Sequence, residues 1–524
     1  MRRIEQMEFE ILENEYWWGG NVIEATKMPF DRNTEYFIDL SVTRRTQTAP
    51  LFLSNKGRYL WSEEAFKITF SQGKVTVETD FEVILNRSGS TLRDAYLAAM
   101  KNHFPFPDNI HTPREFYKYP MFNTWMELIK NQNQLDIVKY AKEIIENGYN
   151  PGILIIDGGW QIRQGTWEFN HDLIPDPKGL IDSLHNMGFI VMIWVSPFVC
   201  PEGDNFLELF SERSSEFLGE KYRYNHLLRH ENGEVAIHHW WSGYGAYYNF
   251  LLEDDCKHMA NQLDSLMEKY GIDGFKFDGG TYHPETFVAG TEFYGGYSTY
   301  QLNMAWMKFA SSYKFHEVKD SWKQCGKNII QRLADKNHSW DTNGLNCLIP
   351  HGCFVGLIGS PFVCPDMVGG GEWTAFVYGK HDEELFVRMA QCSALFPMMQ
   401  FSSLPWRHLS KEAQEICFEA AKLHEKMYTE IEKILASSER SGEPIIRHME
   451  YQFPDCGFEK VNSQFMLGDN ILVAPVVEQG QREKKVFLPL GKWEEQNSHT
   501  VYDGGAAVTV PAPISVLPWF KKVD

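Results

Sequence analysis

The sequence predicts an α/β fold, a (β/α)8 TIM barrel flanked by an N-terminal β-sandwich and a C-terminal β-domain. Three observations predict it. At 524 residues the chain is too long for one ordinary domain. Both ends read in period-2 alternation, whereas residues 112–458 alternate short apolar runs with amphipathic stretches. That middle region holds eight candidate parallel strands, the number that closes a barrel.

In the first region, residues 1–111, Phe37 to Val42 is one candidate strand. Phe66 to Phe70 and Val75 to Thr79 alternate apolar and polar residues around Ser71-Gln72-Gly73-Lys74, a hairpin signal. Such strands bury one face each, and two sheets packed together satisfy them.

From residue 112 the barrel strands are expected at 121–125, 153–157, 190–194, 274–278, 329–332, 356–359, 395–399 and 444–447. Crossover helices such as 134–147 and 256–269 lie between them. No Gly-rich phosphate loop follows the first strand, which disfavours a doubly wound nucleotide fold. Residues 459–524 return to β, with Ile471 to Val477 and Lys485 to Pro489 as strands.

Composition narrows the function classes. A net charge of −20 argues against nucleic acid and an anionic membrane surface as partners. No apolar run approaches the length of a membrane span, and the N-terminus lacks an apolar leader. Nine scattered cysteines show neither CxxC nor zinc spacing. A cytoplasmic protein with reduced thiols is expected, and the sequence leaves room for a homo-oligomer. His238-His239 is the obvious metal pair, but adjacent strand residues face opposite ways, so no metal is expected. No cofactor is required by the chemistry below. Aromatic residues make up 14% of the chain, enough to fill a core and to wall a sugar site.

The chemistry-bearing residues stand at strand ends, where barrels carry their sites. Asp157-Gly158-Gly159-Trp160, Asp278-Gly279-Gly280 and Asp366-Met367-Val368-Gly369-Gly370 each set a carboxylate beside a flexible turn, and Asp335 stands at a fourth end. A lone Asp-Gly more often caps the next helix. Four such ends fit the chemistry of acetal cleavage, which needs one carboxyl to protonate the departing oxygen and another to attack the anomeric carbon. Lys276, two residues before Asp278 on the same strand face, is expected to hold the charge of that carboxylate. Asp335, flanked by Leu333-Ala334 and followed by Trp340, is the candidate acid.

These residues carry a resemblance. Gly274-Phe275-Lys276-Phe277-Asp278 resembles the nucleophile strand of glycoside hydrolase family 31, and Ala334-Asp335-Lys336-Asn337-His338-Ser339-Trp340 resembles an acid/base segment of that family. Pro365 to Gly370, Leu395 to Met398 and Phe465 to Pro475 match further family motifs in the family's order. The resemblance implies a retaining α-glycosidase with Asp278 as nucleophile and Asp335 as acid/base, acting on an α-linked oligosaccharide or glycoside. It implies that Asp157 binds outer hydroxyls of the sugar, that Trp241 lines the sugar site, and that Trp194 and Asp366 form its wall. Trp160 is a further candidate, and Arg332 is placed to donate to a substrate hydroxyl.

Asp335-Lys336, Ser339-Trp340, Asn343-Gly344-Leu345 and Met399-Gln400-Phe401-Ser402 resemble an α-galactosidase-like branch. Two departures stand out: Gly279-Gly280-Thr281 replaces the Asn-Glu pair of many members, and Gln400-Phe401-Ser402 replaces the Arg-Asn-His of the α-glucosidases. The alternatives are the same machinery with α-glucosidase, sulfoquinovosidase or transglycosylase specificity, or a catalytically weak carbohydrate-binding protein.

Overall fold

The computed structural model describes residues 5–42, 44, 46–107, 110–203, 205–206, 209, 227–232, 234–240, 242–280, 296–374 and 381–523. Internal contacts divide the chain into one unit of residues 1–40, 46–121 and 323–524 and another of residues 41–45 and 122–322.

The second unit is built on parallel strands. Ile153–Ile156 pairs with Ile190–Val195, which pairs with Gly274–Phe277, which pairs in turn with Phe315–Val318. Phe122 and Asn123 extend the ladder on the far side of Ile153–Ile156. Every residue of Gly274–Phe277 and Ile153–Ile156 is buried, as strands covered on both faces must be. Helices Gln134–Glu146, Pro177–Asn186 and Glu253–Tyr270 follow successive strands. Each starts or stops where its sequence predicts: Asn133 and Asp176 cap two N-termini, and Gly271 closes the third in the left-handed region.

The first unit opens with two antiparallel sheets, as expected of the N-terminal region. In one, Lys67–Ser71 and Lys74–Thr79 form the predicted hairpin, with Ser71 opposite Lys74. Gln72 and Gly73 both have positive φ (51° and 74°), which is why a glycine sits there. The C-terminal region forms a six-stranded antiparallel sheet and a two-stranded one. Their core gathers Met466, Leu472, Val486, Trp493 and Phe520. The same unit holds two short parallel pairs, Gln331–Arg332 with Val363–Cys364 and Met367–Val368 with Gln400–Phe401.

Three expected strands are corrected. Residues 356–359 lie at the end of helix Leu348–Leu357, all ten residues of which are buried; a helix apolar all round has no periodicity to betray it. The strand stands instead at Val363–Cys364. Residues 395–399 follow helix Glu383–Ala394, and the strand begins one residue later at Gln400. Ile446–Arg447 pairs antiparallel with the C-terminal Phe465–Leu467, because a short apolar run does not encode the direction of its partner. Conversely, Phe315–Val318 escaped the sequence reading. Its centre is His316-Glu317, polar yet 3% and 1% exposed.

Candidate active site

In the second unit the site grows from the ends of adjacent strands. Asp278 follows directly on Gly274–Phe277, and its backbone N–H donates to Val195 O (2.9 Å). Its carboxylate accepts from Trp194 Nε1 at 3.0 Å and from the Gly279 N–H at 2.9 Å. Two donors aimed at separate oxygens suit the ionised form and fix the direction of attack.

Lys276 does not hold that carboxylate as expected. Its Nζ donates to Asp157 Oδ2 at 2.6 Å, and the two residues are only 4% and 2% exposed. The other oxygen of Asp157 accepts from the Gly158 N–H (2.8 Å), and its backbone N–H donates to Thr124 Oγ1 (3.0 Å). Thr124 in turn donates to Gln132 (2.6 Å), a positioning pair that no sequence signal pointed to.

Trp194 is 2% exposed and joins the site through its indole N–H, while its ring stacks on Trp240 at 6.2 Å. A cavity of about 570 Å³ opens beside it, lined by Gly158, Gln161, Arg163, Asn170 and Tyr244 among others. Trp160 is wholly buried, donates to Trp194 O (2.8 Å) and packs on Phe169. It is a core residue that supports Trp194 from behind rather than a wall for sugar. Trp241 lies outside the described residues.

In the first unit Arg332 binds two carboxylates through one nitrogen: Nη1 donates to Asp335 Oδ1 at 2.9 Å and to Asp366 Oδ1 at 2.6 Å. Asp366 also accepts from the Lys336 N–H (2.7 Å) and the Gly371 N–H (3.0 Å). Arg332 and Asp366 are each 1% exposed and are bound to one another. Burial pushes the Asp366 carboxyl up, Arg332 opposes this, and the neighbouring Asp335 adds to it. The Asp335 side chain keeps 25% of its surface open, the exposure an acid needs to reach a leaving group.

The backbone around Asp335 is tightly specified. A Cβ on Gly371 would stand 2.7 Å from Asp335 Oδ1 and 3.0 Å from Asp366 Oδ1, so a larger residue would displace the Asp335 carboxylate. His338 Nδ1 lies 2.9 Å from Gly369 O, and the Asp382 N–H donates to His338 Nε2 at 2.9 Å. That pattern fixes the neutral ring with its proton on Nδ1. Trp340 Nε1 donates to Asp382 Oδ2 (2.8 Å), while Asp382 Oδ1 caps helix Glu383–Ala394. The Asp335 segment is thus tied to a helix start through Asp382, which the sequence reading had not singled out.

Among the described residues no cluster of His, Cys, Asp or Glu is arranged to hold a metal. His238 is buried and His239 exposed, the alternation that excluded them as a pair. None of the nine cysteines is disulfide-bonded. No described helix is long and apolar enough to cross a membrane.

Parallel strands with crossover helices, ending in carboxylates held by N–H donors and cations, define a barrel protein equipped for carboxylate chemistry. The family model for the TIM-barrel domain of glycosyl hydrolases family 31 matches residues 116–428, and that for the family's C-terminal domain matches residues 442–524. The chain belongs to glycoside hydrolase family 31, and its fold class is the expected TIM barrel with antiparallel sheets at both ends.

Among curated relatives, the myogenesis-regulating glycosidase of Mus musculus is 28% identical over 421 residues, covering 77% of this chain and 56% of that protein. The sulfoquinovosidase of Escherichia coli (strain K12) is 22% identical, covering 68% and 53% respectively. The chain therefore spans about half the length of each. A GH31 dextranase of Flavobacterium johnsoniae, solved in complex with glucose, superposes with a TM-score of 0.81 at 19% identity, over 99% of this chain and 66% of that one. This last likeness speaks to fold alone.

Proposed function

We propose that the protein is a retaining, exo-acting α-glycosidase of the α-galactosidase type. Asp278 attacks the anomeric carbon and Asp335 protonates the departing oxygen. Asp335 then deprotonates the water that resolves the glycosyl-enzyme. The observation that carries this reading is the contrast between the two carboxylates. Asp278 receives two N–H donors that suit an anion, whereas the Arg332 nitrogen that binds Asp335 is shared with a second carboxylate, Asp366. That contrast is what separates a nucleophile from an acid.

The galactosidase specificity rests on sequence: Gln400-Phe401-Ser402 stands where α-glucosidases carry Arg-Asn-His. The runner-up reading keeps the machinery and changes the glycone, and relatives named as α-xylosidases and a sulfoquinovosidase favour keeping it in view. A cytoplasmic setting is supported by nine cysteines without a disulfide.

The test is hydrolysis of aryl α-glycosides (galactoside, glucoside, xyloside, N-acetylgalactosaminide and sulfoquinovoside), with Asp278→Ala as control. The galactoside is expected to be cleaved fastest, with the activity abolished in the variant. Preference for another glycone transfers the reading to the runner-up. Silence across the panel from folded protein favours a carbohydrate-binding role.

A further inference from the structure

Far along the chain from the residues above, helix Lys411–Ser441 and the C-terminal strands border a second concavity of about 320 Å³. Its size falls at the lower end of ligand cavities, about 300–1,000 Å³. None of its lining residues belongs to the site already described. Ile416, Ala420 and Leu423 supply an apolar floor, and Trp519, 8% exposed, supplies an aromatic one.

Five polar groups stand around that floor with no protein partner among the described residues: the Glu419 carboxylate, the Lys426 ammonium, the Ser515 hydroxyl, and the side-chain carbonyl oxygens of Gln496 and Asn497. The two amides are not free to swing. Gln496 Nε2 donates to Glu494 O (3.1 Å), and Asn497 Nδ2 donates to Glu495 Oε1 (2.5 Å) and Leu517 O (2.9 Å). Their carbonyl oxygens are therefore held as acceptors.

Glu419 and Lys426 are seven residues apart on one helix, hence on one stripe and about 10 Å apart along the axis. No ion pair joins the two side chains, so each keeps its hydrogen-bonding capacity for a ligand, at about 2.8 Å per bond. The two charges cancel, which suits a neutral ligand. A free amino acid carries its ammonium and carboxylate on one carbon, far closer together than these two side chains.

We infer that this concavity is a second, non-catalytic carbohydrate site that takes one or two pyranose units. Sugar hydroxyls donate to Glu419, Gln496 and Asn497 and accept from Lys426, while a C–H face of the ring lies on Trp519. The inference does not depend on turnover, and it stands apart from the glycone specificity proposed above.

The experiment uses the full chain with Asp278→Ala, so that bound sugar persists, titrated calorimetrically with melibiose, maltotriose and isomaltotriose. At least one sugar is expected to show a binding component that Glu419→Ala plus Lys426→Ala weakens at least tenfold. Both side chains are exposed, so the fold is expected to survive their removal. In the Asp278-containing enzyme the same pair of substitutions should leave aryl glycoside turnover within twofold of the parent. Crystals soaked with the bound sugar should show it against Trp519. The inference is overturned if no sugar binds, if binding is unchanged by the double substitution, or if glycine or lysine occupies the groove instead.

Discussion

Lys276 Nζ lies 2.6 Å from Asp157 Oδ2, a closed ion pair withdrawn almost completely from water. The cation two residues before the candidate nucleophile thus reaches across the intervening strand Ile190–Val195 to the end of Ile153–Ile156. Asp278 accepts from the Trp194 N–H and from its own turn.

A buried pair of this kind is costly to break from one side, because the remaining charge has no partner; the loss is about 3–5 kcal/mol. Lys276→Met and Asp157→Asn are each expected to lower the free energy of unfolding, measured by denaturant titration, by that order. The combination of the two should lose less than the sum, because it leaves no orphaned charge. Additive losses would show that the two side chains do not act as a pair.

Trp194→Phe keeps an aromatic ring of smaller size and deletes one hydrogen bond to an ionised carboxylate. Such a bond is worth about 1.5–3 kcal/mol, or about 10–100-fold in kcat/KM if it matters in the transition state. The expected signature is a fall in kcat, measured on protein still folded at the assay temperature, beside a lowered thermal midpoint from the space left next to Trp240. Unchanged kcat would remove the indole N–H from the mechanism.

Asp366 is the test of how the acid is tuned. With Asp366→Asn, Arg332 keeps its charge but loses one of its two carboxylates. The full cation then acts on Asp335 and stabilises its anion, so the acid lets go of its proton at lower pH. The basic limb of the kcat/KM profile should move down by about one pH unit. A merely structural role for Asp366 would reduce kcat and leave the limb in place.

The strand ends were legible because an apolar run closing on Asp-Gly marks both the end of a strand and a turn, and Asp157 and Asp278 stand as read. The partner of Lys276 was not. Period 2 places Lys276 and Asp278 on one face, but which neighbour lies level with Lys276 depends on register. Trp194 is paired with Lys276, and Ile156 with Ile193, so Asp157 stands level with Trp194 and within reach of Lys276. Trp160 was misread for another reason: an aromatic beside a catalytic turn looks the same whether it walls a pocket or fills a core. The anchoring of the acid segment by His338 and Asp382 spans 44 residues and had no local signature.

Several histidines are buried neutral, and this predicts how the protein responds to acid. Burial lowers His316, His424 and His448 to about 4 and His238 to about 3, and lowers His338 as well. In the unfolded chain these rings bind protons from about pH 6.5 downward, whereas in the native fold they do not. The unfolded state therefore holds more protons across that window, so stability rises with pH through it and is lost as pH falls below about 6.5. At pH 5 each of the three histidines near 4 withdraws about 2 kcal/mol. Glu450, pushed up to about 7 by burial, works the other way between the usual glutamate range and pH 7, one group against the five histidines. The denaturant midpoint is expected to fall steeply from pH 7 to pH 5, and His424→Gln or His316→Gln should flatten that fall even if it lowers the midpoint at pH 7. A midpoint that stays level over the window would mean that the rings are protonated in the native fold.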